Sequence, residues 1–212
     1  MCSSDLDLIV TAPVGLGRLY LIPILADFLK TYPDIDVRLV LNDRVVSLPE
    51  EQIDLALRVG TLPDSSLIAL RVGAIRRAVC ASPGYLAARG TPATPDELAA
   101  HDCISYAAFL AADVWTFVRN GTNVAVPVHS RLVVGSAEAA CDAARAGIGV
   151  TAVYSYHAEA ALKAGTLATV LDAFQPAELP VSLVYTAGRF LPIKLRAFLD
   201  FAAPRLKARF LQ

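Results

Sequence analysis

Leu8-Ile9-Val10-Thr11-Ala12-Pro13-Val14-Gly15-Leu16-Gly17-Arg18 opens the chain with an apolar run that stops at a proline and two closely spaced glycines. Helical periodicity follows: Leu19, Ile22, Leu25, Ala26, Phe28 and Leu29 recur at a spacing that predicts one face covering a sheet, and Pro23 sits early enough to cause at most a kink. Tyr32-Pro33-Asp34 then leads into Ile35, Val37, Leu39 and Leu41, which alternate as a strand does. Strand, turn, helix, strand makes a parallel βαβ unit. Such a unit exposes the turn after its first strand, and the N–H groups of the next helix, at the sheet edge where α/β proteins seat small ligands.

Further along, Asn42-Asp43-Arg44 turns the chain into a short predicted helix over residues 45–51, and Asp54-Leu55-Ala56-Leu57-Arg58-Val59 is a third strand ending at Gly60. Strands are predicted at 67–72 and 74–81, after a loop that contains Pro63, Asp64, Ser65 and Ser66. Ser82-Pro83 opens a helix, and Thr94-Pro95-Asp96-Glu97 has the form of a capping box. A strand over 103–106, a hairpin turning at Asn120-Gly121 and a strand over 131–134 form a second strand set. Ser136 caps an alanine-rich helix that stops at Gly147, before a strand over 148–153. The last elements are a strand over 181–185 and a helix opened by Pro192, with Leu195, Phe198, Leu199, Ala202 and Leu206 on one face and Pro204 able to bend it. This order predicts an α/β fold of two lobes joined by two crossing strands, with a cleft between them as its largest concave surface.

The 212 residues are 55% hydrophobic, enough to bury a substantial core. Nineteen basic and 20 acidic side chains leave a formal net charge of -1, which lacks the basic footprint of a nucleic-acid-binding surface. Cys2, Cys80, Cys103 and Cys141 are scattered without a C-x-x-C and read as buried thiols in a reducing compartment. The N-terminus lacks the pattern of a secretory signal, and no run of about 18 apolar residues occurs. A cytoplasmic protein without a membrane span is expected.

Several stretches, in this order, resemble the effector-binding domain of LysR-type transcriptional regulators, in the CrgA-like branch. They are Val10-Thr11-Ala12-Pro13-Val14 with Gly17-Arg18-Leu19, Tyr32-Pro33, Leu41-Asn42-Asp43-Arg44-Val45-Val46, and Asp54-Leu55-Ala56-Leu57-Arg58-Val59-Gly60 with Leu62-Pro63-Asp64-Ser65-Ser66-Leu67. Cys80-Ala81-Ser82-Pro83 with Tyr85-Leu86, His101-Asp102-Cys103-Ile104, Ala146-Gly147-Ile148-Gly149-Val150 and Leu179-Pro180-Val181 continue the series to the far end of the chain. The resemblance implies a periplasmic-binding-protein-like (type 2) fold. Residues 8–79 and 185–212 would form lobe I and residues 80–184 lobe II, with residues 1–7 unmatched. It implies a small-molecule effector in the interlobe cleft, a homodimer or homotetramer, no cofactor, and DNA contact only through a winged helix-turn-helix that precedes this domain in the family and is absent from this chain.

Mapped by position, the resemblance places the effector near Thr11, Pro13, Val14, Gly15 and Leu16, near Asn42 and Asp43, and near Arg58, Val59 and Gly60. Ser82 would contribute at the lobe crossing, and Tyr106 and Ser136 from lobe II. Gly15 stands where the family often has serine, and Tyr154 where it often has proline, so the identity of the effector does not carry over. Arg58 at the end of an apolar strand suits a carboxylate, but an ion pair with Asp43 or Asp64 is an equal reading. Ser82 reads first as a helix cap.

Gly15-x-Gly17 lacks the third glycine of a dinucleotide fingerprint, since Tyr20 stands at that place. His101, His129 and His157 lie in unlike contexts without ligand spacing, no G-x-S-x-G elbow occurs, and Glu50-Glu51 and Asp96-Glu97 read as solvated acids. No catalysis and no metal are expected. Lys194, Arg196, Arg205, Lys207 and Arg209 read as the solvated face of the last helix. A free-standing solute-binding protein of a transport system is the alternative on the same fold.

Overall fold

The computed structural model describes residues 6–44, 46–61, 67–106, 114–187 and 191–210. The chain divides into two compact units, Met1–Ile75 with Leu179–Gln212, and Arg76–Glu178. The divisions fall a few residues ahead of the expected ones at Val79 and Val184. The reason is pairing: Leu179–Thr186 hydrogen-bonds along its length to strands of the first unit, so the chain has already crossed back by Leu179.

The first unit is built on a five-stranded sheet in the order β2-β1-β3-β12-β4. Its strands are β1 (Asp7–Ala12), β2 (Asp36–Leu41), β3 (Leu55–Val59), β4 (Leu67–Ile75) and β12 (Leu179–Thr186). β1 runs parallel to β2 and β3, as the opening βαβ pattern requires, and β12 runs antiparallel to β3 and β4. Between β1 and β2 a continuous helical stretch comprises α1 (Val14–Leu16), a π-helical turn (Gly17–Leu21) and α2 (Ile22–Thr31).

The π turn changes which residues face the sheet. Leu21, Ile24, Leu25 and Phe28 are buried, whereas Leu19, Ile22 and Leu29 are 48%, 46% and 42% exposed and Ala26 is exposed as well. The helix carries two apolar stripes, and the extra residue per π turn sets the phase that buries Leu21 rather than Leu19. The buried stripe meets the last helix, α6 (Ile193–Phe210), where the Phe28 ring stands edge-on to Phe198 at 5.0 Å. Lys194, expected on a solvated face, is instead 13% exposed in an ion pair with Asp54 at 3.1 Å and also donates to the Asp7 carbonyl, tying α6 to the strands. The predicted helix over 45–51 is a set of hydrogen-bonded turns in the described residues: Glu51 N–H reaches the Ser47 carbonyl and Ile53 N–H the Leu48 carbonyl.

The second unit has a five-stranded sheet of order β11-β5-β10-β6-β9. The strands are β5 (Arg77–Ala81), β6 (Cys103–Tyr106), β9 (Ser130–Val134), β10 (Val150–Tyr154) and β11 (Ala168–Val170). β6, β9 and β10 are mutually parallel, and β5 is antiparallel to β10. The Asn120-Gly121 hairpin forms as predicted, with φ of 51° and 76° at the two turn residues. Its strands β7 (Val114–Arg119) and β8 (Thr122–Pro127) pair only with each other. Their apolar face, Trp115, Phe117 and Val126, packs on Val79, Cys103 and Val150 of the sheet. Helices α3 (Pro83–Arg89), α4 (Ala137–Arg145) and α5 (Ser155–Lys163) complete the unit. α5 has no counterpart in the sequence reading, although Ala158, Glu159, Ala160, Ala161 and Leu162 are all strong helix formers.

Candidate functional site

The first unit gathers one group of expected site residues at the C-terminal ends of its parallel strands. Thr11 is 4% exposed, and its hydroxyl donates to the Val40 carbonyl at 2.9 Å. Pro13 precedes the helix, Gly15 is buried and Leu16 is wholly core, so Leu16 offers a ligand no side chain. The first amide of the helix is already engaged: Val14 N–H donates to Asp43 Oδ1 at 3.0 Å. Asn42 Oδ1 accepts the Arg44 N–H at 2.9 Å, a local turn that presents Asp43 to the helix. An anion approaching this N-terminus therefore meets a carboxylate first.

Arg58 lies opposite Ser182 in the β3/β12 register, and its guanidinium donates to the Val46 carbonyl. Burial pushes its pKa down, yet a guanidinium stays charged at neutral pH. Of the two equal readings of Arg58, the ion pair with Asp43 is absent among the described residues, since Asp43 accepts from Val14 and Arg58 donates to Val46; Asp64 lies outside the described residues. Among the described residues Arg58 is thus a half-buried cation without a carboxylate partner. Beside it, Val59 is half-buried and Gly60, at a φ of 98°, donates its N–H to the Pro180 carbonyl at 2.9 Å. Ser182 is 6% exposed and directly opposite Arg58. Sequence reading passed over it, although a lone polar residue in the apolar run Pro180-Val181-Ser182-Leu183-Val184 was the available signal.

In the second unit, Tyr106 ends β6 and Ser136 follows β9, both at the C-terminal ends of the parallel strands. Ser136 caps α4, its Oγ accepting the Ala139 N–H at 3.2 Å. Tyr154 and Arg77 pair at the same end, across β10 and β5. Burial raises the Tyr154 pKa, and the Arg77 charge partly offsets that shift. Arg77 is a further residue that the sequence did not single out.

Ser82 does not join this group. β5 runs against β10, so its end at Ala81 lies beside Thr151 and Val150, at the N-terminal ends of β6 and β10, one strand length from Tyr106 and Ser136. Nor does Ser82 mark the crossing between units, which falls at Ile75–Arg76. It caps α3, accepting the Tyr85 N–H at 3.3 Å. Around it lies a surface concavity of about 900 Å³, walled by Tyr85, Arg89, Asp102, Arg131 and Arg145.

Two α/β units, each presenting polar groups at the C-terminal ends of parallel strands, define a binding protein of the periplasmic type 2 architecture. The chain belongs to the LysR substrate binding domain family, whose sequence profile matches residues 7–207. It is 30% identical over 204 residues to the probable HTH-type transcriptional regulator LtrA of Klebsiella pneumoniae, covering 95% of this chain and 66% of that protein. It is 31% identical over 187 residues to the HTH-type transcriptional regulator CrgA of Neisseria meningitidis serogroup B, covering 88% of this chain and 62% of that protein. Among solved structures, the CrgA regulatory domain from Neisseria meningitidis superposes with a TM-score of 0.82 at 29% identity, covering 94% of this chain and 98% of that one. The chain spans about two thirds of the regulators it matches. These relatives are regulators, and the transport alternative finds no support among them. No helix among the described residues is long and apolar enough to cross a membrane.

Proposed function

We propose that this chain is the sensor part of a cytoplasmic, DNA-binding transcriptional regulator, and that it recognises a small organic carboxylate without transforming it. The observation that carries this reading is Arg58, a half-buried guanidinium with no carboxylate partner among the described residues. Such a cation favours an anionic ligand through charge-assisted, bidentate hydrogen bonds. At the helix N-terminus Asp43 already holds the Val14 amide, which favours Arg58 over that end as the anion seat. The carboxylate goes to Arg58, with Ser182 opposite it in the strand register and the Gly60 turn next in sequence. In the whole protein, effector binding favours one arrangement over another and thereby shifts how copies associate and engage DNA.

Association uses the stripe of Leu19, Ile22, Ala26 and Leu29, an exposed apolar row on one helix of the kind that marks protein contact surfaces. The test of the sensor reading is a thermal-shift screen of aromatic and aliphatic carboxylates followed by titration calorimetry. A hit that raises the melting temperature with its concentration, and that is lost in Arg58→Gln, supports it. A hit that binds Arg58→Gln equally well removes Arg58 from the site. If uncharged analogues bind in preference to every carboxylate, the ligand class is wrong.

A further inference from the structure

We propose that the concavity beside Ser82 is a second small-molecule site, one that takes an organic oxyanion carrying at least two negative charges on a small apolar body. It lies wholly within the second unit, at the opposite end of that unit's sheet from Tyr106 and Ser136, and shares no residue with the Arg58 group.

The wall holds three guanidiniums, those of Arg89, Arg131 and Arg145, against the single carboxylate of Asp102. Arg131 sits 3.0 Å and Arg89 3.8 Å from the same Asp102 oxygen, so one negative charge is shared by two positive ones. Each guanidinium has five N–H donors in a fixed fork. Arg89 gives one of them to the Ala100 carbonyl at 3.4 Å, and the rest exceed what Asp102 can accept. Among the described residues Arg145, in the last turn of α4, pairs with the exposed Asp142 at 3.3 Å, a surface pair that a better acceptor displaces at little cost.

The platform under these groups is hydrogen-bonded on both sides of Asp102. Asp102 N–H donates to the Tyr85 hydroxyl at 3.0 Å, and its carbonyl accepts the Val150 N–H at 2.9 Å. Gly149 packs so closely on that carbonyl that a Cβ there would stand 2.1 Å from the oxygen. Asp102, fixed at its backbone, thus draws Arg89 and Arg131 to one side of the concavity. Ala88, Leu132 and Ile148 give the same concavity an apolar wall, and Ile148 is left 38% exposed. Positive charge beside an apolar wall selects an amphiphilic anion over a bare inorganic ion.

Phenyl phosphate, a dianion on one aromatic ring, is the probe. Titrated into the whole chain at constant ionic strength, it should bind saturably with a Kd at or below roughly 1 mM. It should also perturb the amide resonances of residues 82–89, 102 and 145–148. The pair Arg131→Gln with Arg145→Gln should weaken binding about tenfold or more, as expected when charge-assisted hydrogen bonds are lost. Arg145→Gln alone, a change at an exposed side chain, should weaken it measurably if the pair disturbs the fold. Arg196→Gln removes an exposed charge elsewhere and should leave it unchanged. Absence of saturation, an equal response to phenol, or unaltered binding in the Arg145 variants would overturn the proposal.

Discussion

Asp43 Oδ1 accepts the backbone N–H of Val14 at 3.0 Å, so the helix after the first strand begins with a carboxylate of its own chain at its positive end. Asp43→Ala leaves that amide without its partner and should lower folding stability by about 1 kcal/mol in urea melts. Asp43→Asn keeps an acceptor and should lose less. Equal stability of all three proteins would mean that the bond contributes nothing.

Gly149 and Gly84 make a matched pair of tests. An added Cβ at Gly149 meets the Asp102 backbone carbonyl at 2.1 Å, while at Gly84, inside α3, nothing lies within 4 Å. Gly149→Ala should destabilise the chain by about 2 kcal/mol or more, because backbone must move. Gly84→Ala should stabilise it by up to about 1 kcal/mol through helix propensity. Denaturant midpoints of the two variants should move in opposite directions.

The thiols of Cys80, Cys103 and Cys141 are buried, and each is pushed up to about 12: for all three, burial is the main cause. The thiolate is the reactive species, so none of the three should be alkylated by iodoacetamide in native protein at pH 8 within a time that labels all of them in denaturant. Peptide mass spectrometry resolves the sites, and rapid native labelling of Cys80 would contradict the prediction. The three described cysteines are buried, as their apolar surroundings in sequence indicate, while Cys2 lies outside the described residues.

His101 is buried, with Nδ1 3.3 Å from the Tyr85 hydroxyl, and burial followed by the nearby Arg89 charge holds its pKa below the usual 6.5. The folded protein therefore binds this proton less readily than the unfolded chain does. Its contribution to stability is complete above pH 6.5, declines as pH falls from there towards the folded pKa, and is lost below it. Stability measured from pH 7.5 to 5, values chosen to bracket the unperturbed range of about 6.5, should fall more steeply in the native sequence than in His101→Gln. Parallel slopes would show that His101 titrates alike in both states.

Ile22 and Leu29 are 46% and 42% exposed on one helical stripe. If that stripe joins two copies, Ile22→Glu with Leu29→Glu should lower the mass seen by light scattering to that of a single chain while leaving the circular dichroism spectrum intact. A single-chain mass for the native protein at high concentration would refute the association itself.

The opening βαβ unit, the Asn120-Gly121 turn, the Ser136 cap and the Pro192 helix were legible because each rests on local chemistry. Alternation, a positive-φ dipeptide, a hydroxyl acceptor and a fixed proline φ act within a few residues. The number and order of motifs likewise sufficed for the family. Elements without such punctuation, α5 and the short strand β11, were missed.

Residue sequence alone thus determined the α/β rhythm and the family, because these follow from period, turn chemistry and the order of motifs. Tertiary structure decided which of two apolar stripes on the first helix faces inward, through a π turn that no period reveals. It also decided that Ser82 stands apart from Tyr106, because an antiparallel strand reverses which end of the sheet its last residue reaches. Long-range placement alone bound Asp43 to Val14 and left Arg58 without a described carboxylate, since partners 29 residues apart in one case, and none in the other, are facts of packing rather than of spacing.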